Sequence, residues 1–202
     1  MKPHTVLFIG PQGSGKGTQL EQMANYLRRV DPKRKTVVFQ SGTLFRNFAR
    51  GHSFTANHIS DTINTGALQP LFLSVGLWAR EMIDYMNEDV HALIDGFPRT
   101  ESEARVLTTA LQFYGRSVRH VIVFEVDEAI VRERMQKRAR EDDTPDAIER
   151  RLEWYRTETK SVLEFLESIP EYVIHRISAT DPVEVVEAEI HKALFPQTDI
   201  KP

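Results

Sequence analysis

The stretch VLFIGPQGSGKGT, residues 6 to 18, constrains the fold more than any other part of the chain. A short apolar run enters a loop with glycines at 10, 13 and 15, reaches Lys16, and continues as a helix-like segment to Val30. Strand, glycine loop and helix in that order make a phosphate cradle. The glycines let backbone N–H groups converge on an anion, and the helix N-terminus adds partial positive charge at the same point. Gly13, Ser14, Gly15, Lys16, Gly17 and Thr18 are therefore expected to hold nucleotide phosphates, with Lys16 reaching the β- and γ-phosphates. The loop has one irregularity. Ser or Thr normally follows the lysine and helps hold Mg²⁺, whereas Gly17 stands there and the hydroxyl comes at Thr18.

Further short apolar runs lie at 37–39, 92–94, 121–126 and 172–174. Rich in β-branched residues and bounded by polar or turn residues, they read with 6–9 as five buried strands. Helix-like segments alternate with them. In 145–168, Ile148, Leu152, Tyr155, Thr159, Val162 and Leu166 recur at helical spacing, after Thr144 as N-cap and Pro145 as first helical residue. A last helix is expected to be capped by Asp181, opened by Pro182 and closed into a capping box by Glu184. The alternation means a parallel sheet covered on both faces. Residues 41–70 instead suggest small helical pieces, and 132–143 are dense in charge; either stretch suits a flap outside the sheet, and the second also suits a solvated helix surface.

A metal needs a carboxylate beside the phosphate loop. Asp95, at the end of the third strand, supplies it, because ligands of open parallel sheets bind at the strands' C-terminal edge. Asp95 is expected to hold Mg²⁺ through water.

With 202 residues, 41% of them hydrophobic, the chain suits one domain. A net charge of −3, with no basic stripe interleaved with aromatics, argues against nucleic acid and membrane surfaces as partners. There is no cysteine, and the seven histidines lack ligand spacing, so no structural zinc is expected. The opening MKPHTVLFIG has too short an apolar run for a signal peptide, and no stretch reaches the roughly 18 apolar residues of a membrane span. A cytoplasmic protein is expected.

GPQGSGKGTQ, SGTLFR (41–46), DGFPRT (95–100) and RMQKRAREDDTPDAIERRL (134–152) stand in an order that resembles the adenylate kinase family of nucleoside monophosphate kinases. The resemblance runs from about Val6 to Ile190, and glycine after the lysine is that family's own form of the loop. It implies a single P-loop NTPase domain over 1–202, α/β, with a five-stranded parallel sheet in order 2-3-1-4-5. An acceptor-binding flap at about 41–70 and a very short lid at about 134–143 would complete a monomer. The implied reaction moves the γ-phosphoryl group of Mg·ATP to a nucleoside monophosphate, AMP by default. An attacking phosphate oxygen needs no general base, so catalysis is positioning and charge neutralisation. The resemblance gives Arg46 and Arg99 to the acceptor phosphate, and makes Arg134, Arg138, Arg140 and Arg151 lid-side arginines oriented by Asp142 and Asp143. Lys16, Arg99, Arg134, Arg140 and Arg151 would be catalytic. Ser41, Gly42, Arg46, Leu68, Gln69, Gly96, Arg99, Glu103, Arg140 and Arg151 would line the acceptor subsite.

The chain departs from the family at several places. Thr43 replaces the usual Asp near the metal's water shell, and Gln69 replaces an apolar residue beside the acceptor base. Glu103 replaces the glutamine that pairs with adenine. An ionised carboxylate only accepts, which suits the adjacent donors of guanine or the single one of uracil and thymine better than adenine N1. Two readings of Glu103 stand: it shifts the acceptor away from AMP, or it points to solvent at the start of a helix. ISATDP (177–182) replaces the family's Asp-Gly pair beside the donor adenine, a contact made largely by backbone. A P-loop kinase for another small acceptor would lack the SGTLFR and FPR arginines. A non-catalytic regulator would have lost Lys16, Asp95 or the arginines, and all are present.

Overall fold

Each apolar run becomes a strand in the computed structural model, which describes residues 2–196. The strands are β1 (Thr5–Ile9), β2 (Thr36–Gln40), β3 (His91–Asp95), β4 (Arg119–Glu125) and β5 (Tyr172–Ser178). All pairs are parallel and the order is β2-β3-β1-β4-β5, as expected. Alternation along the central strands sends Val6, Phe8, Leu93, Ile122 and Phe124 to one face, against α1 (Lys16–Val30) and α8 (Val183–Leu194). Leu7, Ile9, Ile94, Val121 and Val123 go to the other, against α4 (Leu71–Tyr85), α5 (Glu101–Phe113) and α7 (Pro145–Glu167). Helix α1 buries Leu20, Met23, Ala24 and Leu27, the three-and-four spacing of one helical stripe.

Two expectations need correcting. The strands are not all buried: in β5 only Tyr172 and Ile177 are, and β2 alternates, because both are edge strands with one side unpaired. Helix α8 has no side-chain cap. Pro182, in extended backbone, is the N-cap rather than the first helical residue, and its carbonyl accepts from the N–H groups of Val185 and Val186. Thr144 does cap α7, accepting from Ala147 N–H at 3.2 Å.

Residues 41–70 carry α2 (Ser41–Ala49) and α3 (Phe54–Thr65). Ser53 caps α3 through Ala56 N–H at 3.1 Å, and Gly66, in left-handed backbone, ends it. The charged stretch lies on α6 (Glu128–Arg138), whose last turn runs through Ala139 into a short loop before α7. Among the described residues, no helix is long and apolar enough to cross a membrane.

At the sheet's N-terminal edge the histidines gather. His4 N–H donates to His91 Nδ1 at 3.0 Å, and the two rings stack with centroids 5.4 Å apart. His120 Nδ1 and His175 Nε2 are 3.1 Å apart. Burial lowers the pKa of all four, His4 to about 4 with His91 and His120 adding to the shift. A base with a lowered folded pKa leaves the unfolded chain holding more protons between about pH 6.5 and 4, so stability falls with acidification across that window. Thermal unfolding should show Tm falling from pH 7 to 4.5, more gently in His4→Phe; parallel slopes in the two proteins would remove His4 from this account.

Candidate active site

The C-terminal ends of the central strands open into a cavity of about 630 Å³. One wall is the glycine loop. Gly13 and Gly15 have φ of 87° and 97°, values a side chain resists. A Cβ on Gly13 would lie 2.8 Å from Met135 Cγ, and one on Gly10 2.8 Å from Phe124 Cβ, so the loop is clamped between α6 and β4. Lys16 Nζ donates to the carbonyls of Gly10 at 2.6 Å and Pro11 at 2.7 Å. Burial pulls its pKa down to about 8, while Asp95 opposes the shift.

Asp95 is buried at the end of β3, in register with Gln40 at the end of β2. Its Oδ2 accepts from Gln40 Nε2 at 2.9 Å, and its Oδ1 is buried with no hydrogen-bond partner. Thr43 donates to Gln40 Oε1 at 2.7 Å, so the residue standing in place of the family's Asp steadies the amide that steadies Asp95. An orphaned carboxylate oxygen beside Lys16 and the loop fits a Mg²⁺ held through water and phosphate oxygens. Among the described residues, no three His, Asp or Glu side chains are grouped to cage a metal.

Seven cationic residues line the cavity: Lys16, Arg46, Arg99, Arg134, Arg138, Arg140 and Arg151. Four acidic ones face them: Glu21, Asp95, Asp142 and Asp181. The excess of positive charge suits a polyanion. Arg99 is steered by backbone. Its Nε donates to Gly96 O at 2.6 Å, and that oxygen also accepts from Ser41 Oγ at 2.7 Å. Gly96 has φ 83°, and a Cβ there would come 2.6 Å from Ser41 Oγ. Burial lowers the pKa of both Arg99 and Arg46, and neighbouring arginines lower them further.

The arginines of α6 and α7 that face Asp142 and Asp143 are pinned more tightly. Arg138 gives Asp143 two hydrogen bonds, at 2.9 and 2.7 Å. Arg151 gives the same carboxylate a third at 2.8 Å and pairs with Asp142. The Asp143 side chain is 0% exposed. Arg134 instead donates to Ala179 O at 2.8 Å, beside the wall formed by Ala179, Asp181 and Val183. Arg140 stands exposed at the cavity's edge; its carbonyl accepts from Asp143 N–H at 2.9 Å, while its guanidinium makes no hydrogen bond to another described residue.

Of the residues expected in the site, Gly13 to Thr18, Gly42, Arg46, Gln69, Asp95, Gly96, Arg99, Arg134, Arg138, Arg140 and Arg151 line the cavity. Ser41, Leu68 and Glu103 stand outside its wall. Ser41 braces Gly96 from behind. Glu103 is buried rather than turned to solvent. Its Oε2 accepts from Arg99 N–H at 2.5 Å, while its own N–H reaches the capping hydroxyl of Thr100 at 3.3 Å. This is a capping box displaced by one residue at the start of α5. Gln69 Oε1 is buried without a partner. Among the wall residues that escaped sequence reasoning are Gln40 and Trp154. Gln40 was signalled by its position beside Asp95 at a strand end, and Trp154 by lying one helical turn beyond Arg151.

The family described as adenylate kinase matches residues 8–170. The adenylate kinase of Mycobacterium leprae (strain Br4923) is 31% identical over 166 residues, covering 81% of this chain and 86% of that protein. That of Corynebacterium diphtheriae is 33% identical over 159 residues, covering 78% and 83%. That of Micrococcus luteus is 29% identical over 194 residues, covering 94% and 90%.

Proposed function

The chain belongs to the adenylate kinase family of nucleoside monophosphate kinases, and from that premise we propose that its acceptor is AMP, in the reaction ATP + AMP ⇌ 2 ADP. The observation that carries this reading is the single cavity in which Lys16 of the glycine loop and Arg99 of the segment after β3 share one space with five further arginines. Such a cavity suits two phosphate chains brought together. An oxygen of the acceptor phosphate attacks the γ-phosphorus in line, and the β–γ bridging oxygen leaves on ADP. Lys16 and the loop N–H groups hold the donor phosphates. Arg46 and Arg99 hold the acceptor phosphate, and Arg134, Arg138, Arg140 and Arg151 neutralise charge on the transferring group. Mg²⁺ bound with ATP would add to that neutralisation, with Asp95 holding it through water. Residues 41–70 act as the acceptor flap and 134–143 as the lid. A cytoplasmic monomer follows from the same family reading.

Two features support adenine. Glu103 is occupied by Arg99 N–H, so its carboxylate does not oppose adenine N1. The unpartnered Gln69 Oε1 is an acceptor that an exocyclic amine such as adenine N6 would satisfy. That oxygen also favours the second reading, because guanine carries an amine at C2. A coupled assay with Mg·ATP against AMP, GMP, UMP, CMP and dTMP separates them. AMP preferred at least about tenfold in kcat/KM is expected, a modest demand for a site with buried polar groups to satisfy. Preference for another base would move the acceptor assignment, and no turnover with any would overturn the reading.

Glu103→Gln should leave the ratio of kcat/KM for AMP over GMP unchanged within about twofold, well below the discrimination of a base-reading contact. Its amide oxygen can still accept from Arg99 N–H, but the charge at the helix N-terminus is lost. Tm should fall by about 2–4 °C, the scale of 1 kcal/mol in a chain of this size. A tenfold change in the ratio would return Glu103 to the base subsite.

A further inference from the structure

Helix α3 ends at Gly66, and a helix end leaves carbonyls without intrahelical partners. Here α7 supplies donors across the chain. Arg151 Nη2 donates to Ile63 O at 3.1 Å, and Trp154 Nε1–H donates to Gly66 O at 3.1 Å. The approach is close: a Cβ on Gly66 would lie 2.5 Å from Ala147 O. The same Trp154 ring carries Arg99 on its face, with the guanidinium carbon 5.3 Å from the ring centroid. Trp154 thus touches both halves of the acceptor subsite, the flap through an N–H and the acceptor-phosphate arginine through its π face.

We propose that Trp154 is a positioning residue for the acceptor, fastening the flap to α7 and seating Arg99 in one act. The proposal rests on the acceptor roles of the flap and Arg99 given above. The two functions of the indole are chemically separable. Phe keeps a π face under Arg99 but has no N–H for Gly66 O. Leu has neither. The donor phosphates meet the glycine loop, which Trp154 does not bond, so the donor side should not register the change.

Trp154→Phe should raise the KM of the monophosphate about five- to tenfold, the scale of one lost hydrogen bond to a buried carbonyl, and leave the KM of ATP unchanged. Trp154→Leu should raise it further and also lower kcat, because Arg99 loses its seat. A merely structural role would move both KM values together, and that parallel shift, or no shift, would overturn the proposal. A second readout does not depend on turnover. The chain has two tryptophans, so Trp78→Phe leaves Trp154 as the sole indole emitter. Adding AMP or GMP to that protein should change its emission, and ATP alone should not. Emission that ignores every monophosphate would overturn the proposal even in an active enzyme. Emission that responds in an enzyme without phosphoryl transfer would overturn the kinase reading and uphold the role of Trp154.

Discussion

Lys16→Met should lower kcat for phosphoryl transfer by about 10²–10³, the loss that follows removal of one preorganised charge aimed at the transition state. The same variant should unfold at an equal or higher temperature. Burial holds the Lys16 ammonium against its preference for water, as its pKa of about 8 records, and its bonds go to carbonyls of its own loop. Met keeps the length and removes the charge. An activity loss without a stability loss would mark Lys16 as a group the fold tolerates for the sake of chemistry. A Tm falling by several degrees, with activity falling only in proportion to unfolded protein, would instead make Lys16 a brace of the loop.

Arg151→Ala should do the opposite, removing activity and stability together. The Asp143 side chain is wholly buried and shared between Arg138 and Arg151, and Asp142 pairs with Arg151 as well. Removing Arg151 leaves Asp142 without its ion-pair partner and Asp143 with Arg138 alone, and breaking a buried pair in this way costs about 3–5 kcal/mol. In a chain of this size that is a fall of about 6–20 °C in Tm. Ile63 O also loses its bond from α7 and keeps only the one from Gly66 N–H, so the end of α3 loosens at the same time. A double variant, Arg151→Met with Asp143→Leu, should recover much of the stability, since apolar groups can replace a buried pair at little cost. Its kcat should stay low. Recovery of both would mean that Arg151 acts only through the fold.

The parts of this protein legible in its sequence are those carried by neighbouring residues. Five apolar runs announce five strands, the glycine spacing announces the loop, and Thr144-Pro145 announces the start of α7. Asp95 is legible because a strand end fixes which edge of the sheet it faces. The less legible parts depend on geometry between distant residues. Trp154 and Gly66 are 88 positions apart, and nothing local to either marks the bond between them. Glu103 illustrates the same limit at short range. Its place resembles that of the family's adenine-pairing glutamine, and nothing local to it announces that the turn at Thr100 brings its carboxylate onto the Arg99 N–H. The depth of β5 is overread because YVI looks like a core run, while its place at the sheet's edge leaves Val173 40% exposed.

The row of histidines lies at one end of the sheet and the phosphate loop at the other, and this separation divides the protein's response to pH between two independent causes. Acid acts on His4 and its neighbours, far from any phosphate, so activity lost on that side is lost with the folded population and returns only on refolding. Alkali should act first on Lys16, inside the cavity, and on the role proposed for that residue it would silence the chemistry in a molecule that stays intact. Bound phosphates favour a charged lysine and push that upper limit higher, while they do nothing for the lower one. The working range is therefore elastic on its basic side and rigid on its acidic side.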